Sequence, residues 1–324
     1  MVWSIETDQT FPLASVKPLD RLQRYREQCL SETRKACAAP TRRRDVSPVS
    51  GQRLVPFGAV DGLEYLRCEQ SGSLFLAEVP PPEAWAQLLS RLMRYRHSPE
   101  AFHAGLAGAR TEHVYTPKLE WLLTTLRMQG LEQLPLLEVT TPPSDFTALL
   151  TESGAFARVV TVNEMELAHA AARADGGRYG AAVLLESLDR VDEPAGLLSA
   201  VVERLAPGGL FFVTALVSSG FDLAVLGLNN RYLYPPDRTN CFSLQGLEQL
   251  LRNHGLTLLE VSTPGVLDVE IVQAHCQQVP GIPLSGFERQ LLAASPQTLE
   301  AFQSFLQQHR MSSFARIIGQ KEGA

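Results

Sequence analysis

Beyond Pro135 the chain settles into an alternation that few folds can satisfy. Short, nearly all-apolar runs at residues 136–139, 158–162, 181–185, 210–215 and 256–261 are separated by helically spaced stretches at 146–153, 164–174, 194–205 and 244–253. A strand that is apolar on both sides must be covered on both sides, as in a parallel sheet flanked by helices. Helical stretches of this length suit crossovers between parallel strands. The expected architecture is therefore α/β, a doubly wound, mostly parallel sheet.

The first 130 residues read differently. Apolar positions recur at helical spacing over residues 17–37, and Pro40 with Arg42, Arg43 and Arg44 ends that pattern in what reads as a solvated linker. Residues 53–79 hold short apolar segments parted by Asp61-Gly62 and Ser71-Gly72, pairs suited to hairpin turns. Residues 83–96 and 118–127 read as helices, the second entered through Pro117. The expected organisation is a small helix plus β-hairpin unit ahead of the sheet domain. Its parts are residues 1–45 (helix and linker), 46–82 (β unit), 83–130 (helical connector) and 131–324 (main domain).

Composition narrows the chemistry. With 29 Lys and Arg against 35 Asp and Glu, the net charge of −6 gives no general field for a phosphate backbone or anionic lipid, so neither nucleic acid nor membrane is an expected partner. No apolar run approaches a membrane span, and residues 1–10 carry acids and no apolar leader core, so the expected location is cytoplasmic. The five cysteines, Cys29, Cys37, Cys68, Cys241 and Cys276, are scattered and odd in number. They suggest neither a disulfide framework nor an intact cysteine zinc site.

Residues 183–214, VLLESLDRVDEPAGLLSAVVERLAPGGLFFVT, place an acid-tipped strand, a Pro-started helix and a Pro-Gly-Gly turn before another apolar strand. This stretch resembles the fourth-to-fifth strand region of class I S-adenosylmethionine-dependent methyltransferases. Residues 235–243, PPDRTNCFS, and the Gly246 to Gly255 segment resemble the stretch that follows in that family. The resemblance implies a Rossmann-like methyltransferase fold over roughly residues 131–321, with S-adenosylmethionine bound at the strand ends. Carried onto this sequence, the donor-site positions are Glu138, Thr140, Glu164 and Glu186; no catalytic residue is assigned.

The same resemblance exposes departures at the ligand positions. The family's first turn is glycine-rich, whereas here Thr140, Pro142 and Ser144 stand where the glycines should be, and Pro fixes φ and lacks an N–H. Two prolines also suit a helix start, with Thr141 or Ser144 as cap. At the second strand's end Glu164, or Asn163 more weakly, could bind a ribose, but Asn163 reads first as a cap for the helix starting at Glu164. Arg190 and Arg238 replace two histidines of the family pattern and cannot relay protons at neutral pH, though either could bind an anion.

Ahead of the sheet, residues 47–51 (SPVSG) and 67–75 (RCEQSGSLF) resemble the two knuckles of a zinc ribbon that precedes some such methyltransferases, with Ser47, Ser50 and Ser71 at three of four ligand positions. Only Cys68 remains, and a serine hydroxyl titrates too high to act as an anionic zinc ligand. No zinc is expected, and S-adenosylmethionine binding is expected to be weak or lost. The sequence thus favours a non-catalytic or weakly active methyltransferase-like protein working through a protein partner or bound small molecule. Its rival is an active methyltransferase of a small molecule or glycan with an atypical donor loop, using Glu138, Glu164 and Glu186 for the donor and Asp237 or Asp268 near the acceptor.

Overall fold

The computed structural model describes residues 13–16, 18–98, 105–169 and 178–323. The expected absence of a leader over residues 1–10, the helix start at 17 and the helix end at 170–174 lie outside them.

The strands, in chain order, are β1 Arg42–Arg43, β2 Val55–Val60, β3 Leu63–Arg67, β4 Leu74–Leu76, β5 Glu78–Val79, β6 Leu136–Val139, β7 Val159–Val162, β8 Tyr179–Leu185, β9 Leu205–Leu216, β10 Asn240–Cys241, β11 Leu256–Ser262 and β12 Phe314–Lys321. A six-stranded sheet runs in the order β11-β12-β9-β8-β6-β7. β6 pairs in parallel with β7 and β8, and β8 with β9, while β12 lies antiparallel between β9 and β11. The fold is α/β with a mixed, mostly parallel sheet of the methyltransferase Rossmann-like kind, preceded by small N-terminal sheets.

The all-apolar runs explain themselves in this setting, because successive residues enter opposite layers. Leu137, Ala182, Phe211, Val213 and Ile317 join one core, and Leu136, Ala181, Val183, Phe212 and Ile318 join the other. The second layer is filled by Trp121 and Leu122 of the helix Thr116–Met128 and by Phe146 of the helix Asp145–Glu152, with Trp121 meeting Phe212 edge to face.

Several local features differ from the sequence reading. The Pro-Gly-Gly segment does not precede β9 but lies inside it, as an irregularity in its pairing with β8 where Gly208 takes φ +74°. Strand β12 escapes the pattern because Arg316 breaks its apolar run, and the helices Asp268–Gln278, Gly286–Leu292 and Pro296–Gln308 fill the interval before it. Of Arg42 to Arg44, the first two are exposed as expected, but they form a strand rather than a linker, and only Arg44 is buried. Arg42 and Arg43 pair with β5 as a strand, Arg42 meets Glu193, and Arg43 meets Glu64 and Glu78.

Arg44 is buried and binds the small unit to the sheet domain. Its Nη1 donates to Asn240 Oδ1 at 2.6 Å and its Nη2 to the Asp192 carbonyl, while burial pulls its pKa down to about 10. Asn240 in turn donates to the Leu188 and Val191 carbonyls, both at 2.7 Å. Because β10 pairs with β4, a segment from the large domain completes the four-stranded sheet of the small one. The two share one apolar core.

This junction makes a direct prediction. Asn240→Ala leaves a buried guanidinium and two buried carbonyls short of partners, and should destabilise the protein by about 2–4 kcal/mol in urea unfolding. A loss below about 0.5 kcal/mol would place the junction outside the cooperative unit.

Candidate functional site

Right-handed crossovers bring the carboxyl ends of parallel strands to one edge, and that edge gathers the acids singled out from the sequence. Glu138 lies in β6 opposite Thr161 of β7 and Val183 of β8, Glu164 follows β7, and Glu186 follows β8 with φ +60°. Among the described residues each of these carboxylates already has an internal partner.

Glu138 is buried and accepts hydrogen bonds from the hydroxyls of Ser144 (3.0 Å), Thr161 (3.1 Å) and Thr147. Burial raises its pKa, against the three hydroxyls that lower it. This overturns the capping role expected of Ser144. It occupies the N-cap position of the helix Asp145–Glu152, yet its hydroxyl turns to Glu138 and makes no cap bond. Thr141 supplies no cap either: it is buried, and its hydroxyl has no hydrogen-bond partner. Thr140 borders the smaller cavity described below, but its backbone N–H is spent on the Val162 carbonyl at 3.0 Å, extending the β6–β7 pairing by one bond.

Asn163 caps the next helix as its sequence suggests, accepting from Met165 N at 2.9 Å and Glu166 N at 3.3 Å. Glu164 is 0% exposed, and neither of its carboxylate oxygens has a hydrogen bond. Its partner is Arg190 Nε, 3.5 Å away and itself 5% exposed. The backbone of Arg190 is fixed by Trp85, whose indole N–H donates to its carbonyl at 2.9 Å.

Arg238 does the same for the next acids. Its Nη2 donates to Glu186 Oε2 at 2.7 Å, and its Nη1 lies 3.5 Å from Asp189 Oδ2. Burial opposes the charge of Arg238, but Glu186, Asp189 and Asp237 outweigh burial and raise its pKa. The two arginines at the family's histidine positions therefore sit against acids at the strand ends.

Two cavities remain at this edge. The smaller, about 70 Å³, is bordered by Thr140, Pro143, Ser144, Glu138 and Arg190, where the resemblance places the donor. That is room for two or three waters. The larger, about 200 Å³, opens between Glu186, Arg238, Asp237 and the helix Asp268–Gln278. Of the acids proposed near an acceptor, Asp237 accepts from Tyr25 and Tyr234. Asp268 is held by Ser313 N (2.6 Å), Ser312 and Gln303. Sequence reading missed Arg110 and Arg316, which also line this cavity; the one available signal was a charge inside the apolar run of β12.

In the small unit, Ser47, Ser50, Cys68 and Ser71 converge. The Gly51 N–H closes on the Ser47 carbonyl at 2.8 Å, and the Gly72 N–H closes on the Cys68 carbonyl at 2.7 Å. The two glycines take φ +69° and +76°, a conformation that side chains resist. Ser50 Oγ lies 3.5 Å from the buried Cys68 Sγ. Burial opposes the thiolate, but hydrogen bonds from Ser50, Ser71 and Ser47 bring the Cys68 pKa down to about 7. No group of three or more His, Cys, Asp or Glu able to hold a metal occurs among the described residues. No helix there is long and apolar enough to cross a membrane.

Residues 111–261 match a family described as a methyltransferase domain. The strand order of the large sheet agrees with the Rossmann-like fold of such domains. Similar solved structures include an S-adenosylmethionine-dependent methyltransferase from Clostridium acetobutylicum, 10% identical with a TM-score of 0.41, covering 66% of this chain and 95% of that one. Another is the N-methyltransferase NodS from Bradyrhizobium japonicum, 10% identical with a TM-score of 0.35, covering 65% and 98%. No curated protein matches the sequence.

The acids of this edge give stability a pH dependence. Burial pushes Asp189 up to about 8, helped by Glu186 and opposed by Arg238, and burial next to Asp268 pushes Asp222 up to about 7. Both pKa values lie above the unfolded value of about 3.9, so their contribution is complete below that pH and is lost as pH rises through 7 to 8. The urea midpoint should fall between about pH 5 and pH 9, and Asp189→Asn should flatten that fall. An unchanged slope in the variant would contradict the assignment.

Proposed function

We propose that this chain is a methyltransferase-fold protein whose S-adenosylmethionine and zinc sites are both degenerate, and that it acts by binding a small molecule or a protein partner. The observation that carries this reading is Glu164, the acid at the ribose position, buried to 0% exposure behind Arg190 beside a cavity of only about 70 Å³. A ribose diol would have to displace a guanidinium from a buried carboxylate, and a buried charge is costly to strand. The turn adds to the mismatch. Thr140 has committed its N–H, and neither Pro142 nor Pro143 has one to offer. The residues present do not fit the donor, so no methyl-transfer step is assigned to them.

Zinc is treated in the same way. The two glycine turns at Ser47 to Gly51 and Cys68 to Gly72 support descent from a zinc ribbon, and a single thiol does not make a tetrahedral site. The hydrogen bonds and apolar contacts of the small unit then replace the metal in holding its sheet.

Calorimetry with S-adenosylmethionine and S-adenosylhomocysteine tests the donor reading. Losing two or three hydrogen bonds costs roughly 2–4 kcal/mol, so no saturable binding is expected below about 1 mM. Micromolar binding that is lost in Glu164→Ala but kept in the exposed control Arg24→Ala would overturn it.

Metal analysis of the purified protein should return well under one zinc per chain, with a melting temperature indifferent to chelators. The triple variant Ser47→Cys, Ser50→Cys, Ser71→Cys should gain one zinc. Stoichiometric zinc in the natural chain would refute the metal-free reading, and no gain in the variant would refute descent from a ribbon.

A further inference from the structure

We infer that the larger cavity binds a small molecule with a single oxyanionic group, carboxylate or phosphate, on a compact apolar body, and that Arg110 and Arg316 grip the anion. This deepens the ligand-binding reading above and rests on it.

The charges around the cavity divide into those that are balanced and those that are not. Arg238 is committed to Glu186 at 2.7 Å, and Arg96 faces Asp237 at 3.8 Å. Asp268 is saturated by Ser313 N, Ser312 and Gln303, and Asp222 by Leu223 N at 2.8 Å and Asn230 at 3.0 Å. Neither of these last acids has an arginine to answer.

Arg110 and Arg316 are in no direct ion pair: Glu260 acts on Arg316, and Arg110 on Asp145, only from beyond ion-pair distance. Each is 6% exposed, each lines the cavity, and neither has an ion pair among the described residues. A guanidinium carries five N–H donors. Arg110 reaches only the Tyr115 hydroxyl at 3.1 Å and the Val16 carbonyl at a stretched 3.5 Å, and its Nε has no partner. Arg316 lies over the Trp121 ring, 5.1 Å from its centroid, and its Nε is also without a partner. Burying a guanidinium with N–H donors unspent and no directly bonded counter-ion is unfavourable, and burying two beside the same cavity is worse. An oxyanion supplies the missing charge and takes a forked pair of N–H donors from a guanidinium.

The rest of the lining sets the body of the ligand. Val114, Pro117, Leu267, Ile271 and Phe314 present apolar surface. A volume of about 200 Å³ slightly exceeds the roughly 150 Å³ cavity that holds one benzene ring, so one ring or branched alkyl group with one charged head fits. A nucleotide or a peptide does not.

Benzoate and phenylphosphate are suitable probes, with benzamide as the neutral counterpart of benzoate. With the full-length protein, calorimetry and thermal shift should show saturable binding of at least one anion below about 10 mM, with benzamide at least about tenfold weaker. Arg110→Met and Arg316→Met should each weaken the anion by about tenfold or more, while Arg24→Ala, an exposed surface pair, leaves it unchanged. Because neither guanidinium is in a direct ion pair among the described residues, both variants should stay folded and keep a cooperative urea transition. Loss of binding together with retained stability separates a ligand site from a structural role.

Equal binding of benzamide and benzoate, undiminished binding in both methionine variants, or no saturation by either anion would overturn the inference. S-adenosylhomocysteine titrated in parallel tests the donor reading; because Arg110 borders both cavities, Arg316→Met, which borders only the larger, tells the two sites apart. Binding of S-adenosylhomocysteine would refute the degenerate donor site and leave the oxyanion result to be decided by the benzoate arm.

Discussion

A parallel sheet places the carboxyl ends of its strands at one edge, and any acid placed there by sequence must be balanced by something once helices close over it. In this chain the balance is internal. Arg190 sits against Glu164 at 3.5 Å, and Arg238 holds Glu186 at 2.7 Å and faces Asp189 at 3.5 Å. Three hydroxyls saturate Glu138. With those partners in place, the Thr140 N–H is spent on the Val162 carbonyl, Pro142 and Pro143 have no N–H, and the smaller cavity beside the turn is the size of a few waters. The arginines that neutralise the edge stand where the resembling family carries histidines, so one pair of residues both balances these acids and departs from that family's pattern.

The small unit obeys a related constraint. A β unit of this size buries too little to stand alone, and here it is fastened to its neighbour. Ser73 accepts from Ser243 N at 3.0 Å, and Gly246 passes so close that an added Cβ would fall 2.3 Å from Ser73 Oγ. Arg44 and Asn240 close the other side. The tie that holds the unit also positions the 235–243 segment, which carries Arg238 and Asp237 to the larger cavity. Thus the stability of the small unit and the shape of the larger cavity are linked through one stretch of chain.

What could be read in advance follows the range of the interactions involved. β6, β8 and β9 announce themselves because burial on both faces leaves their runs nearly all apolar, with Glu138 and Thr214 the exceptions, and the Asn163 cap is legible because the N–H donors it accepts from lie two and three residues away. The Asp61-Gly62 hairpin is equally local, with φ +51° and +79°. β12 is not legible, since Arg316 within it finds its surroundings only in tertiary structure. Ser144 reads as a cap but meets Glu138 six residues back, and Arg44 reads as solvated but meets Asn240 across 196 positions. The donor-site acids could be named from the sequence, but their arginine partners could not, because those pairings exist only once the strands are assembled.

The central claim is that Glu164 and Arg190 belong to each other rather than to a ligand, and a double-mutant cycle measures that directly. Glu164→Leu, Arg190→Met and the double variant would be unfolded in urea at pH 7 without any ligand. Each single change should cost about 3–5 kcal/mol by stranding a buried charge, and the double change should cost much less, giving a coupling of about 2–4 kcal/mol. A coupling within about 0.5 kcal/mol of zero, with the two losses simply adding, would contradict the account and return both residues to the pool available for binding.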